Sequence, residues 1–138
     1  MLDVNILLSL LDPYHIQHEA AHKWFGGVAE RKWASCPITQ NGYIRIASQS
    51  RYTNPTTTAN AAKILAEFID CTNHIFWSDS IGFLQTSIID INRVHGAGQI
   101  TDIYLLALAK ANGGQLVTLD TRFNTTAVPG GADHLITI

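Results

Sequence analysis

Residues 101–120 constrain the fold of this chain most strongly, because they combine a helical pattern and a strand pattern with acidic residues at defined places. Apolar side chains recur at helical spacing after Asp102, and the pattern ends at Asn112, Gly113 and Gly114. Thr101 is the predicted N-cap, which puts Asp102 in the first turn. The segment therefore predicts a buried helix that carries an acid near its N-terminus.

The apolar run at 115–119 predicts a short buried strand that ends at Asp120. Another acid, Asp3, follows the apolar start of the chain and precedes a predicted short helix. If the first strand is parallel to the later one and next to it, Asp3 and Asp120 leave the same edge of the sheet. Open α/β folds place their sites at that edge.

Three converging carboxylates repel one another unless a cation or shared protons compensate. Mg²⁺ and Mn²⁺ prefer oxygen ligands and keep water positions for a phosphate or a nucleophile. Each acid also has a purely structural interpretation: Asp102 can complement the helix dipole, and Asp120 can cap the turn that follows it. The sequence therefore predicts a metal site only if the fold brings the three acids together.

Composition limits the other possibilities. The 138 residues are 46% hydrophobic and 14% charged, which indicates one globular domain spanning 1–138 and argues against disorder. The formal charge of −2 argues against a simple basic nucleic-acid-binding module. No apolar run reaches the ~20 residues of a membrane span, and the N-terminus lacks a cationic region. We therefore expect a cytoplasmic enzyme without a membrane partner.

Predicted strands and helices alternate along the chain. Strands are predicted at the N-terminus and at 32–36, 74–77, 115–119 and 134–138, and helices at 15–31, from Pro37, at 56–70, at 81–93 and from Thr101. This order indicates an α/β fold in three layers, α/β/α, with a mainly parallel central sheet. Gln40 and Arg45, on the helix that starts at Pro37, are expected near the site at Asp3.

Four segments of the chain resemble the PIN-domain ribonucleases, in particular the VapC toxins of type II toxin–antitoxin systems. They are LDVNILL at 2–8, CPITQNGYIR at 36–45, QITDIYLLALA at 99–109 and LVTLDTRF at 116–123. The segments are short, but they occur in the family's order over nearly the whole chain. The resemblance implies a PIN-like fold, an acidic pocket that binds Mg²⁺ or Mn²⁺, and hydrolysis of RNA phosphodiesters.

The resemblance also implies a homodimer and a VapB-type antitoxin whose C-terminal segment covers the groove. Asp3, Asp102 and Asp120 take the places of three of the family's acids. Asn5 and Thr101 match neighbouring polar positions that orient the acids. Arg45 and Arg122 are candidates for phosphate contact, with surface or salt-bridge roles as the alternative.

Position 40 departs from the family pattern. Where the family usually has Glu, early in the Thr-x-x-Gly-x-x-Arg helix, this chain has Gln40. An amide has nearly the shape of a carboxylate but lacks its charge and basicity, so Gln40 could still orient a water or bind a metal weakly. The amide is either natural or a deliberate Glu→Gln change that attenuates a toxic nuclease. We expect weaker metal binding and slower chemistry, with the fold unaffected.

Three functional hypotheses follow. The leading one is a metal-dependent endoribonuclease toxin with Asp3, Asp102 and Asp120 as ligands and Gln40 beside them. The alternative is a PIN-like protein weakened or inactivated by Gln40 that only binds RNA or its antitoxin. A receiver-like domain also pairs acids with Mg²⁺, but it requires a Lys at a late strand end, and the last strands end at Asp120 and Ile138.

Overall fold

The computed structural model describes residues 1–28, 30 and 32–138, and its centre is a layer of short parallel strands. The strands are β1 (Trp33–Ser35), β2 (His74–Phe76), β3 (Leu116–Thr118) and β4 (Leu135–Thr137). β1 pairs with β2 and β3 pairs with β4, both in parallel. Residues 1–3 lie between the two pairs: Leu2 N donates to Ala34 O at 3.0 Å, and Asp3 N donates to Val117 O at 2.9 Å. The order across the layer is therefore β2, β1, residues 1–3, β3, β4. The segment that carries Asp3 thus lies next to β3 and parallel to it, as predicted for the strand that precedes Asp120.

Five α-helices are formed by the described residues: α1 (Val4–Leu11), α2 (His18–Gly27), α3 (Pro37–Ala47), α4 (Thr58–Asp70) and α5 (Ile100–Ala111). Short 3₁₀ turns occur at Ile91–Arg93, Ala97–Gln99 and Gly131–His134. None of the helices in these described ranges is long and apolar enough to cross a membrane.

Alternating strand residues divide the core between the two faces of the sheet. Met1, Ala34 and Leu116 belong to an apolar cluster with α5, whereas their neighbours Leu2, Trp33 and Val117 belong to a second cluster with α1, α2, α3 and α4. This is the two-residue period of strands that are buried on both faces. The predicted three-layer α/β/α fold with a parallel sheet is confirmed.

The helix predicted at 81–93 is wrong. The segment is irregular and ends in a 3₁₀ turn, and its apolar residues Leu84 and Ile91 are 87% and 49% exposed. Ile89 is buried instead, and the Asp90 N–H donates to Ala127 O at 2.8 Å. That bond to a distant loop replaces the local i→i−4 bond that a helix would need there.

Most predicted boundaries agree with the structure to within a few residues. α1 begins directly after Asp3, and Pro37 occupies the first turn of α3. α5 starts one residue before Thr101, so Thr101 is not its N-cap; Gln99 occupies that position without a side-chain bond. The end of the helix predicted at 15–31 lies partly outside the described residues, and its described part is the shorter α2.

Candidate active site

Asp3 is the N-cap of α1 and is held on three sides. Its Oδ1 accepts from Val4 N at 2.6 Å, and its Oδ2 accepts from Asn5 Nδ2 at 2.9 Å and from Thr118 Oγ1 at 2.6 Å. The predicted orienting role of the Asn5 amide has direct geometric support, since Asn5 Oδ1 also accepts from Leu119 N at 3.1 Å. Asp3 is 8% exposed, so its carboxylate is fixed in a largely buried position.

Thr118 links Asp3 to Asp120, and the sequence interpretation missed it. Its buried hydroxyl donates to Asp3 and accepts from Asn5 Nδ2 at 2.8 Å and from Asp120 N at 3.1 Å. These three bonds use its whole hydrogen-bonding capacity. The available signal was a hydroxyl residue inside an otherwise apolar strand, two positions before an acid.

Asp120 follows β3 at the same sheet edge, and its Oδ1 accepts from Arg122 N at 2.8 Å. This is the capping role considered for Asp120, and it leaves Oδ2 free for another partner. Asp102 lies in the first turn of α5, half-buried, and its carboxylate accepts no hydrogen bond from the described residues. The fold thus brings acids from three separate elements towards one edge.

The three charges interact with one another. Burial, followed by the charges of Asp3 and Asp120, raises the pKa of Asp102 to about 6. Burial likewise raises the pKa of Asp3; the charge of Asp120 adds to this, while the bonds from Thr118, Val4 and Asn5 oppose it. Neither of the two ion pairs found among the described residues involves these acids. Their mutual repulsion is therefore not neutralised by a partner in that part of the chain.

The carboxylate oxygens of Asp3, Asp102 and Asp120 are suitable ligands for a hard divalent cation, although the three side chains do not all lie within ligand distance of one position. Within residues 1–28, 30 and 32–138, no three His, Cys, Asp or Glu side chains are close enough to ligate one ion. The acids nevertheless lie within electrostatic range, since the charges of Asp3 and Asp120 contribute to the raised pKa of Asp102. Asp3 uses three of its about four lone-pair sites, which leaves one at Oδ1 for a metal. Oxygen donors of this kind suit Mg²⁺ or Mn²⁺ better than a soft metal.

A cleft of about 500 Å³ opens beside Asp3 and Asp102. Thr101, Asn41 and Arg45 also line it, and Arg45 is exposed there without an ionic partner among the described residues. Arg45 is therefore placed to meet an anion that enters the cleft. Asp120 and Arg122 are not part of this lining, and the Arg122 side chain is exposed.

The Gln40 side chain is bonded to the last residue of β1. Its Nε2 donates to Ser35 Oγ at 2.9 Å, and the next residue, Asn41, lines the cleft instead. The sequence interpretation placed Gln40 beside the three acids. The structure brings Asp3, Asp102 and Asp120 towards one edge with Asn5 in support; a role for Gln40 beside them stays a prediction.

Comparison with known proteins identifies the family of the chain. Residues 1–129 match the family model described as PIN domain. Ribonuclease VapC44 of Mycobacterium tuberculosis (strain ATCC 25618 / H37Rv) is 48% identical over 139 residues, which cover 100% of this chain and 98% of that relative. Ribonuclease VapC39 of the same strain is 38% identical over 94% of both chains, and Ribonuclease VapC29 is 34% identical over 88% of this chain and 85% of that relative.

These matches extend over the sheet, all the helices and the acidic edge together, so they concern the whole fold and not one motif. The resemblance drawn from four short segments is confirmed. The chain belongs to the PIN-domain family and, within it, to the VapC ribonucleases.

Proposed function

We propose that this protein is a metal-dependent endoribonuclease that acts as the toxin of a toxin–antitoxin pair and hydrolyses RNA phosphodiester bonds. The observation that carries the proposal is the group of Asp3, Asp102 and Asp120, in which burial and neighbouring carboxylates raise the pKa of Asp102 and of Asp3 and in which no acid has a cationic partner among the described residues. Such a group is costly unless a cation joins it. Relatives of up to 48% identity that are named ribonucleases support the same conclusion.

Asp3, Asp102 and Asp120 would hold the cation, with Mg²⁺ or Mn²⁺ as the expected metals. A bound divalent ion would supply Lewis-acid chemistry, activating water and neutralising charge on the phosphate oxygens. The chain's own part is to hold the carboxylates in place: Thr118 and Asn5 fix Asp3, and the Asp120 N–H is tied to the same hydroxyl. Arg45 contacts the phosphate of RNA in the cleft, where a guanidinium can bind two of its oxygens.

The partners follow from the same site. The family relationship implies a VapB-type antitoxin in general, and an acidic cleft with one exposed arginine would accept a basic side chain of that antitoxin at the carboxylates. We include in the proposal that the protein forms a homodimer and acts in the bacterial cytoplasm, where RNA and antitoxin are present.

The direct test is cleavage of RNA by the wild-type protein and by Asp102→Asn, each with Mg²⁺, with Mn²⁺ and with chelator. We expect metal-dependent fragments from the wild type and none from the variant. Asp133→Asn removes one exposed acid at the opposite end of the strands and is the matched control that should cut normally. Cleavage that persists in Asp102→Asn with metal would refute the assignment.

The second candidate is a PIN-like protein that binds its partners without cutting RNA. The observation that favours it is the uncharged Gln40, whose amide nitrogen donates to Ser35. Calorimetric titration with Mg²⁺ separates the two functions, because a non-catalytic site should give negligible heat and no cleavage. Measurable metal binding that is lost in Asp102→Asn supports the enzyme.

A further inference from the structure

A chain of three polar side chains connects α3 to the edge strand β2. Gln40 Nε2 lies 2.9 Å from Ser35 Oγ, and Ser35 Oγ lies 2.8 Å from His74 Nε2. Ser35 is the last residue of β1 and is fully buried, whereas Gln40 and His74 are half-buried. The mechanism above uses neither of these two contacts, and of the three residues the sequence interpretation singled out only Gln40.

The chemistry of the groups fixes the direction of the hydrogen bonds. An amide nitrogen only donates, so the Ser35 hydroxyl accepts from Gln40. The hydroxyl has one proton to donate, and its other partner among the described residues is the His74 ring nitrogen. Because Ser35 is fully buried, its hydroxyl proton would be left without an acceptor unless His74 Nε2 accepts it, so the favoured arrangement has the ring proton on Nδ1. Burial lowers the pKa of His74, in agreement with a neutral ring.

Packing keeps the His74 ring in this position. The Trp33 ring meets it edge-on with centroids 4.5 Å apart, and Trp33 Nε1 donates to Thr72 Oγ1 at 2.8 Å. Trp33 and His74 are also paired residues of β1 and β2. The acceptor nitrogen is thus held towards Ser35 by groups that belong to the sheet.

We propose that Ser35 and His74 are positioning residues for Gln40, and that the chain of bonds from Gln40 through Ser35 to His74 is matched to an amide at position 40. A carboxylate there could only accept. Ser35 would have to donate to it, and His74 would have to donate to Ser35 from a protonated Nε2. Gln40→Glu is therefore not a simple gain of one acidic group, because it must also reverse the hydrogen bond from position 40 to Ser35 and the one from Ser35 to His74.

This inference rests on the proposed function only in treating position 40 as part of the active-site surroundings; the direction of the bonds is independent of catalysis. It assigns the Gln40 amide group a structural partner and leaves only its Oε1 and second N–H for other partners. Because Ser35 is fully buried, the chain can change direction only as a unit, with its hydroxyl proton and the His74 ring proton moving together.

The test is long-range ¹H–¹⁵N NMR of the histidine rings in the metal-free full chain, with His74 assigned from the signals that disappear in His74→Gln. We expect His74 in the wild type to have an unprotonated Nε2 and a protonated Nδ1, the less common tautomer of free histidine. In Gln40→Glu we expect Nε2 to become protonated. In Ser35→Ala we expect the ring to lose its single tautomer and average between both.

Gln85→Glu is the matched control, since it adds the same charge at an exposed residue whose Oε1 accepts from Gly82 N at 2.9 Å. It should leave the His74 signals unchanged. A wild-type His74 protonated at Nε2, or an unprotonated Nε2 that persists in Gln40→Glu, would overturn the proposal. Gln40→Glu keeps the test usable if Ser35→Ala does not fold. Absence of RNA cleavage would refute the proposed function without affecting these spectra, so the two failures are distinguishable.

Discussion

Replacing Asp102 by Asn should stabilise the metal-free protein while it abolishes cleavage. The Asp102 carboxyl has a pKa of about 6 in the folded protein against an ordinary value of 3.8, because burial and the charges of Asp3 and Asp120 oppose its ionisation. At neutral pH the folded protein therefore contains an ionised group that is disfavoured relative to the unfolded chain. Asn keeps the shape and removes that charge.

The magnitude follows from the pKa. A rise of about 2 pKa units corresponds to roughly 3 kcal/mol at neutral pH. Asp102 is only half-buried, so solvent screening reduces this to about 1.5 kcal/mol. Asn also loses the favourable interaction of the carboxylate with the N-terminus of α5, worth about 0.5 kcal/mol. We expect a net gain of about 1 kcal/mol, or about 3 °C in Tm.

The sign of the pH dependence provides a second check. Since the folded carboxyl holds its proton more tightly than the unfolded one, its contribution to stability is present below pH 4 and is lost as pH rises through about 6. Urea denaturation in chelator at pH 5 and pH 7.5 should therefore show that the free energy of unfolding falls more with rising pH for the wild type than for Asp102→Asn. Mg²⁺ at pH 7.5 should stabilise the wild type but not Asp102→Asn.

Asp133→Asn is the control for removal of an acid outside the cleft, and it should follow the wild type in both pH and metal dependence. An Asp102→Asn variant that is less stable than the wild type at pH 7.5 in chelator, with the same pH slope, would refute the electrostatic account of the site. Normal stabilisation of that variant by Mg²⁺ would refute the assigned ligand role.

Three further substitutions test the supports of the site. Thr118→Val keeps the shape of the side chain but removes three hydrogen bonds, so urea denaturation should show a loss of about 2 kcal/mol in stability. Calorimetry should show weaker Mg²⁺ binding. An unchanged Mg²⁺ affinity would contradict the link from Asp3 to Asp120. Gly42→Ala would place a Cβ 2.6 Å from Val4 Cγ2 and press α3 against α1, so it should lower the free energy of unfolding by about 1–3 kcal/mol. Gly26→Ala is the control: no described atom lies within 4 Å of its Cβ, and the alanine should stabilise α2 by about 0.5–1 kcal/mol. Similar effects of the two substitutions would disprove the close approach of α3 and α1. Arg45→Ala should raise KM for RNA more than it lowers kcat and should make the salt dependence of binding shallower, and an unchanged salt slope would exclude a phosphate contact.

Local patterns were sufficient where the relevant forces are local. The strands, α1 directly after Asp3, Pro37 at the start of α3 and the end of α5 before Gly113 all follow from apolar periodicity, caps and residues of restricted or special backbone conformation. The same patterns failed at 81–93, where the spacing is compatible with a helix. There the bond from Asp90 N to Ala127 O and the burial of Ile89 determine the conformation, and no local pattern records them.

The sequence by itself determined which chemistry is available: acids after two predicted strands and at the start of a helix, with an amide at position 40. Only the tertiary structure decided which of these groups meet. It placed residues 1–3 between β1 and β3, joined Asp3 to Asp120 through Thr118, and bonded the Gln40 amide to Ser35. The physical reason is that hydrogen-bond partners more than 100 positions apart become neighbours only through strand order, and strand order is set by burial of both faces of the sheet at once.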